Sequence, residues 1–148
     1  DSLENITFDG MEVISQGDGD CGQGADIFHC GHIFNGDGID PDSCMHVNLF
    51  DILFTTGDDA VAIKSGRGRE GNELDKPCGY IRVTDCSSVW SLGGFGTGSE
   101  TAAGSHDLLF QNLTVRDILF LKMCMELKPM NWDSGWKEQK NAPFRTCF

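Results

Sequence analysis

Residues 35–65 read N-G-D-G-I-D-P-D-S-C-M-H-V-N-L-F-D-I-L-F-T-T-G-D-D-A-V-A-I-K-S, from Asn35 to Ser65. The middle of this stretch alternates apolar and polar residues, with Val47, Leu49 and Ile52 as its apolar marks. A second short apolar run, Val61-Ala62-Ile63, follows a glycine and two aspartates. Alternation of this kind reads as half-buried strand, and the Gly/Asp clusters read as the turns between strands. Asp37 lies in the first cluster, and Asp58 and Asp59 in the second. Adjacent carboxylates raise each other's proton affinity, and a buried one without a partner is costly. Charge placed where a strand begins therefore suits a site that handles protons. Gly57-Asp58-Asp59 is equally an ordinary polar turn by residue type.

The mark "apolar, any, apolar, two residues, apolar" recurs along the chain. It appears as Ile6, Phe8, Met11; as Val47, Leu49, Ile52; as Ile81, Val83, Cys86; and as Leu108, Phe110, Leu113. The numbers of successive starts differ by 41, 34 and 27 (47 − 6, 81 − 47, 108 − 81). Second strand patterns follow at Val61-Ala62-Ile63, Phe95-Gly96-Thr97 and Met125-Glu126-Leu127. Gly10, Asp51, Asp85 and Asn112 occupy equivalent turn positions, each just before the third apolar residue. A loose period of roughly thirty residues built from short strands points to a solenoid, each repeat forming one coil. The expected fold is all-β, a right-handed parallel β-helix whose coils stack ~4.8 Å apart over a continuous apolar stripe. An antiparallel sandwich with chance similarity between strands is the alternative. The coils are expected over residues 1–130, with a tail or cap over 131–148, where Trp132 and Trp136 would share one helical face. Those two rings suit end-capping, or stacking on a sugar.

Composition narrows the function. The 148 residues form one domain by length, with 19 glycines, 4 prolines and one Tyr, a mix that suits strands and tight turns. The net charge of −12 argues against nucleic acid and anionic membranes as partners. An acidic substrate stays possible, because surface charges are screened beyond ~10 Å at 0.1 M salt. No apolar run is long enough to span a membrane, and no charged segment leads into an apolar one as in a signal peptide. The start D-S-L-E-N-I-T-F already looks like the inside of a fold, so a fragment or processed product is expected. Seven cysteines leave at least one unpaired within a monomer, and no C-x-x-C is present to suggest zinc. Cys86 and Cys124 fall in strand patterns and read as small buried hydrophobes. Asn5 and Asn112 head N-x-T sequons, which matter only in a eukaryotic secreted chain. The Gly/Asp-rich segment Gln16–Phe34 fits the repeat poorly. Asp18, Asp20 and Asp26 suggest calcium, but no complete calcium-binding loop is present and a solvated loop is expected. No metal or cofactor is expected.

The quoted stretch carries a resemblance. Asn35-Gly36-Asp37-Gly38-Ile39-Asp40-Pro41-Asp42-Ser43-Cys44 and Thr56-Gly57-Asp58-Asp59-Ala60-Val61-Ala62-Ile63-Lys64-Ser65-Gly66 resemble the pectin-degrading polygalacturonases, glycoside hydrolase family 28. Pro77-Cys78, Gly93-Gly94-Phe95, Gly98-Ser99-Glu100 and Leu127-Lys128 follow in the family's order, so the resemblance runs from about Leu3 to Lys128. It implies the pectin-lyase-like β-helix and an inverting, extracellular hydrolase of α-1,4 galacturonosyl links, with pectin or another acidic polysaccharide as partner. It implies that Asp58 is the general acid, and that Asp37 and Asp59 activate water. Asn35 would support Asp37, Lys128 would bind a substrate carboxylate, and Lys64 is a further candidate cation for the substrate. Arg67 is a weaker one. Inversion needs one protonated and one ionised carboxyl on opposite sides of the scissile bond, and clustered carboxylates raise at least one pKa. On a flat strand Asp58 and Asp59 would point to opposite faces, so both serve one site only if a turn or bulge brings them together.

Two positions depart from the family. Leu92 stands where a histidine tunes the acid, and Glu126 where an arginine helps bind the sugar acid. These departures motivate the rival expectation of a non-catalytic homologue that binds acidic polysaccharide or is a structural remnant. Whether His29, His32, His46 or His106 compensates is not visible in the sequence, and neither are disulfide pairing and oligomeric state.

Overall fold

The computed structural model describes residues 3–15 and 35–116. Along them run β1 (Glu4–Asp9), β2 (Glu12–Ser15), β3 (Met45–Phe50), β4 (Leu53–Thr56), β5 (Val61–Ile63), α1 (Gly68–Leu74), β6 (Cys78–Thr84), β7 (Ser87–Trp90), β8 (Phe95–Thr97), β9 (Ser105–Gln111) and β10 (Thr114–Val115). The described strands form three sheets, ordered β1-β3-β6-β9, β2-β4-β7-β10 and β5-β8, and neighbours in each are parallel. Among them, no strand pairs with its sequence neighbour. Each turn of the chain moves from one sheet to the next and returns to the first, which is the path of a parallel β-helix.

The repeat read from the sequence is the register of the first sheet. Ile6 pairs with Val47, Val47 with Ile81, and Ile81 with Leu108; Phe8, Leu49, Val83 and Phe110 form the next stack. In the inner coils these side chains are sealed: Val47, Leu49, Ile52, Ile81, Val83 and Cys86 have 2% exposure or less. Each fully buried aliphatic side chain of this kind contributes about 1.5–3 kcal/mol relative to an exposed one. In the outermost described coils the stacks are only partly covered: Phe8 and Met11 on one side, Leu108, Phe110 and Leu113 on the other. A coil buries its apolar face only against neighbours on both sides.

The corner between the first and second sheets is built alike in every described coil. Gly10, Asp51, Asp85 and Asn112 all adopt the left-handed conformation, with φ of 60°, 51°, 56° and 53°. Only glycine tolerates this freely, and Asn and Asp do so through their short polar side chains. The Asn112 side-chain amide also donates to the Asp85 carboxylate one coil back. The next residue, Ile52 or Cys86, then faces the core.

Two features were not foreseen. The sequence reading found two strands per coil, whereas the structure has three: β2, β4, β7 and β10 make a sheet of their own. Its inward residues include Thr56 and Ser88, both fully buried, so a purely apolar criterion passed over them. Within the first sheet a second left-handed position recurs at Asn5, His46, Tyr80 and Asp107, with φ between 51° and 56°. The strand pairing skips these residues, so each strand is kinked at the same place. The helix α1 lies in the long connection between β5 and β6. The expected strand Met125–Leu127, the loop 16–34 and the tail 131–148 lie outside the described residues.

Candidate active site

Asp37 lies in the segment that meets the third sheet through two isolated bridges, Ile39 with Val61 and Asp42 with Lys64. Both bridges have the same offset in residue number, 22 (61 − 39 and 64 − 42). Backbone hydrogen bonds extend this register toward the acids. Gly38 N–H donates to Asp59 O at 2.9 Å and Ile39 N–H to Ala60 O at 3.1 Å; Gly57 and Asp58 N–H both donate to Gly36 O, at 3.1 and 3.2 Å. Asp37 is therefore one rung from Asp59, and Asp58 is the next residue along the same turn. The Gly57–Ala60 turn is held from the other side as well: Leu92 N–H donates to Asp58 O at 3.1 Å and Ala60 N–H to Gly94 O at 2.9 Å. The Thr56 hydroxyl also donates to Asp58 O, at 2.9 Å. Asp58 and Asp59 are half-buried on this turn rather than on a flat strand.

Gly38 is what permits the close approach. A Cβ there would lie 2.5 Å from Ala60 O and 2.8 Å from a ring carbon of Phe54. Neither neighbour can give way, because one is backbone and the other is a ring with no exposed surface.

Beside Asp37 stands a cluster of charges. Lys64 Nζ is 2.6 Å from Asp40 Oδ2, 3.4 Å from Asp37 Oδ2 and 3.8 Å from Glu100 Oε2. Lys64 and Asp37 are largely screened from solvent, at 21% and 14% exposure, whereas Asp40 and Glu100 keep 30% and 32%. The other oxygen of Asp37, Oδ1, is buried and has no hydrogen-bond partner among the described residues. Asp42 anchors the flank: its Oδ1 accepts from Gly66 N–H at 2.9 Å and from the Ser43 hydroxyl at 3.1 Å. Burial would lower the proton affinity of Lys64, but the hydrogen bond and charge of Asp40, then the charges of Asp37 and Glu100, raise it above the ordinary lysine range.

Asp40 is pushed up from 3.8 to about 6. Burial is the main cause; Lys64 opposes it through its hydrogen bond and charge, while Asp37 adds to it through charge and a hydrogen bond. A folded chain that holds this proton more tightly than the unfolded chain gains stability from it below 3.8, and loses that gain as the pH rises through about 6. Asp40→Asn removes the dependence. The melting temperature of the wild type should fall relative to that of Asp40→Asn between about pH 4 and about pH 6, and the difference should then level. A difference that stays constant across that window would contradict the assignment.

The remaining candidates are distributed as follows. Asn35 is exposed at a left-handed turn (φ 55°) one residue before the buried Gly36. Arg67 is exposed at the start of α1. Lys128 and Glu126 lie outside the described residues. Leu92, at the position where the resemblance implied histidine, is beside Asp58 through its backbone. His46 and His106 sit instead at the first sheet: the His46 ring stacks on Tyr80 at 4.7 Å, Tyr80 meets His106 edge-on at 5.2 Å, and His106 Nδ1 is 2.8 Å from Asp107 Oδ2. His29 and His32 lie outside the described residues. Cys44, Cys78 and Cys86 are free buried thiols, and burial pushes Cys78 up to about 12. The buried-hydrophobe reading of Cys86 agrees with its position, while Cys124 is not among the described residues.

The sequence reading passed over Asp40 and Glu100 as site residues, although both stood in quoted motifs. The signal was the coil offset. Val61 pairs with Phe95, an offset of 34 in residue number (95 − 61), and the same step from Lys64 reaches Gly98, two positions before Glu100.

Residues 2–120 match Glycosyl hydrolases family 28. A probable polygalacturonase of Vitis vinifera is 36% identical over 81 residues, which is 53% of this chain and 16% of that protein. The crystal structure of a hyperthermoactive exopolygalacturonase from Thermotoga maritima matches 54% of this chain and 18% of its own, at 40% identity and a TM-score of 0.53. The chain thus spans about a sixth of the length of these relatives. With the coil path, the acidic turn and the family match in agreement, the chain belongs to glycosyl hydrolase family 28.

Proposed function

We propose that the protein hydrolyses α-1,4 galacturonosyl links in pectin or polygalacturonan with inversion, outside the cell. The observation that supports this most is the bridge register that lays Asp37 against the Asp58–Asp59 turn. In this reading Asp58 donates its proton to the glycosidic oxygen as the bond to the anomeric carbon breaks. A water attacks that carbon from the opposite face and gives its proton to Asp37, with Asp59 sharing the task. Asn35 braces the Asp37 turn. Lys128 pairs with a substrate carboxylate, a charge-assisted bond that selects uronic acids over neutral sugars.

The test is the release of reducing ends from polygalacturonate, with Asp58→Asn as the blank and NMR of the first product formed. New ends carrying the β-anomer are expected. No turnover above the blank removes the hydrolase, and an α-anomer formed first removes inversion.

Leu92 favours a second reading. An apolar side chain at the position next to Asp58 removes a charge that would tune the acid, which suits a homologue that binds acidic polysaccharide without cutting it. Calorimetry with oligogalacturonates separates the two: binding heat without reducing ends supports the second.

A further inference from the structure

We propose that Lys64 is a positioning residue that acts through Asp37: held by Asp40 and Glu100, its ammonium grips Oδ2 of Asp37 and fixes the carboxylate that takes the proton. This rests on the hydrolase reading above and changes the role expected of Lys64, from contact with substrate to control of the base.

The geometry carries the inference. An ammonium has three donors and no acceptor. Here three carboxylates surround it, at 2.6, 3.4 and 3.8 Å. A galacturonate carboxylate would have to displace one of them and add a further negative charge to a group that already holds three against one. Lys64 is therefore committed to its own chain.

Lys64 and its partners also come from successive passes of the coil. Asp37 and Asp40 precede β3, Lys64 follows β5, and Glu100 follows β8. One side chain thus ties three rungs at the level of the acids. On the Asp37 side its grip is on a single oxygen, since Oδ1 is buried without a partner among the described residues. A carboxylate held in one orientation is what a base needs if its water is to meet the anomeric carbon in line. Asp40 makes the shortest of the three contacts and sits three positions after Asp37, so it sets where the ammonium stands.

The groups that face this cluster are Asp37 and Asp40 on one segment, Lys64 on the next and Glu100 on the third; Asp42 faces Gly66 N–H instead. Carbon-13 NMR of the aspartate carboxyls, on the intact chain, reads the clamp without any substrate. In the wild type the Asp40 resonance should titrate near 6. Lys64→Met should move it upward by about one pH unit or more, and Lys64→Arg should restore most of the shift, since a neighbouring cation favours the ionised carboxyl. In kinetics on oligogalacturonate, Lys64→Met should lower kcat by about ten- to a hundredfold with KM changed less than about threefold. A raised KM with unchanged kcat would make Lys64 a substrate contact and overturn the proposal. An Asp40 resonance that ignores the loss of Lys64 removes the clamp itself. Absence of wild-type turnover removes the hydrolase reading, and with it the catalytic purpose of the clamp, while the titration still decides whether Lys64 holds Asp40.

Discussion

With Asp58 as the proposed general acid, Asp58→Asn should lower the rate of polygalacturonate hydrolysis by about 10²–10⁴-fold and, as a change that keeps the backbone bonds of the turn, shift the melting temperature little. The two halves of this expectation have separate causes. Asparagine has no proton to give to the leaving oxygen, so the chemical step loses its acid. The backbone of residue 58 anchors the turn: its carbonyl accepts from Thr56 Oγ1 and Leu92 N–H, and its N–H donates to Gly36 O. An amide of the same shape keeps all three bonds. A substrate whose leaving group departs without protonation, such as a nitrophenyl galacturonide, should recover much of the lost rate, because it bypasses the acid. A variant with full turnover on polygalacturonate would remove Asp58 from the mechanism. A variant that melts far below the wild type would show that its side chain supports the turn.

Phe54→Ala costs about 3–5 kcal/mol, a large part of the roughly 5–15 kcal/mol that holds a typical domain together. Phe54 has no exposed surface and meets Phe95 edge-on, with centroids 5.7 Å apart and planes at 80°. It comes from β4 and Phe95 from β8, so the pair joins the second sheet to the third across the interior of the coil. On its other side the ring lies under Gly38, the residue that lets the Asp37 segment approach the acidic turn. Removing the ring leaves a cavity that neighbours bound into three sheets cannot collapse to fill. Urea and thermal unfolding measure the loss, and Phe54→Leu should recover at least half of it. A loss below about 1 kcal/mol would mean that this interior is not packed as described. The same cavity lies beneath the Asp37 segment, so the surviving folded fraction should also turn over more slowly than the wild type.

What the chain encodes locally and what its fold adds divide along a physical line. Ile6, Val47, Ile81 and Leu108 were aligned from their apolar pattern, and the same residues are the paired positions of the first sheet. In a solenoid the contacts join equivalent positions of consecutive coils, so a periodic pattern is also a contact map. The corner residues Gly10, Asp51, Asp85 and Asn112 were legible for a related reason, because few residue types tolerate a left-handed backbone. The second sheet was hidden because it turns Thr56 and Ser88 inward, where polarity masks the period.

The candidate site divides in the same way. Its acids were found by motif, but their meeting depends on the third sheet, where the offset in residue number is 22 (61 − 39). Over the same two coils the first sheet keeps an offset of 41 (47 − 6). The difference is taken up between β2 and Asn35, where the sequence carries no strand period to count along. The arrangement around Lys64 was further from view. A lysine has several rotatable bonds, and its choice among Asp37, Asp40 and Glu100 follows from which rungs stand above and below it.

What the sequence by itself determined is the parallel coil and the residue types at its acidic turn, because periodicity and backbone tolerance are local properties of a chain. What only the tertiary structure decided is which carboxylates share a rung and which cation they hold. Those choices depend on charges brought together from separate coils, at distances no spacing in the sequence encodes.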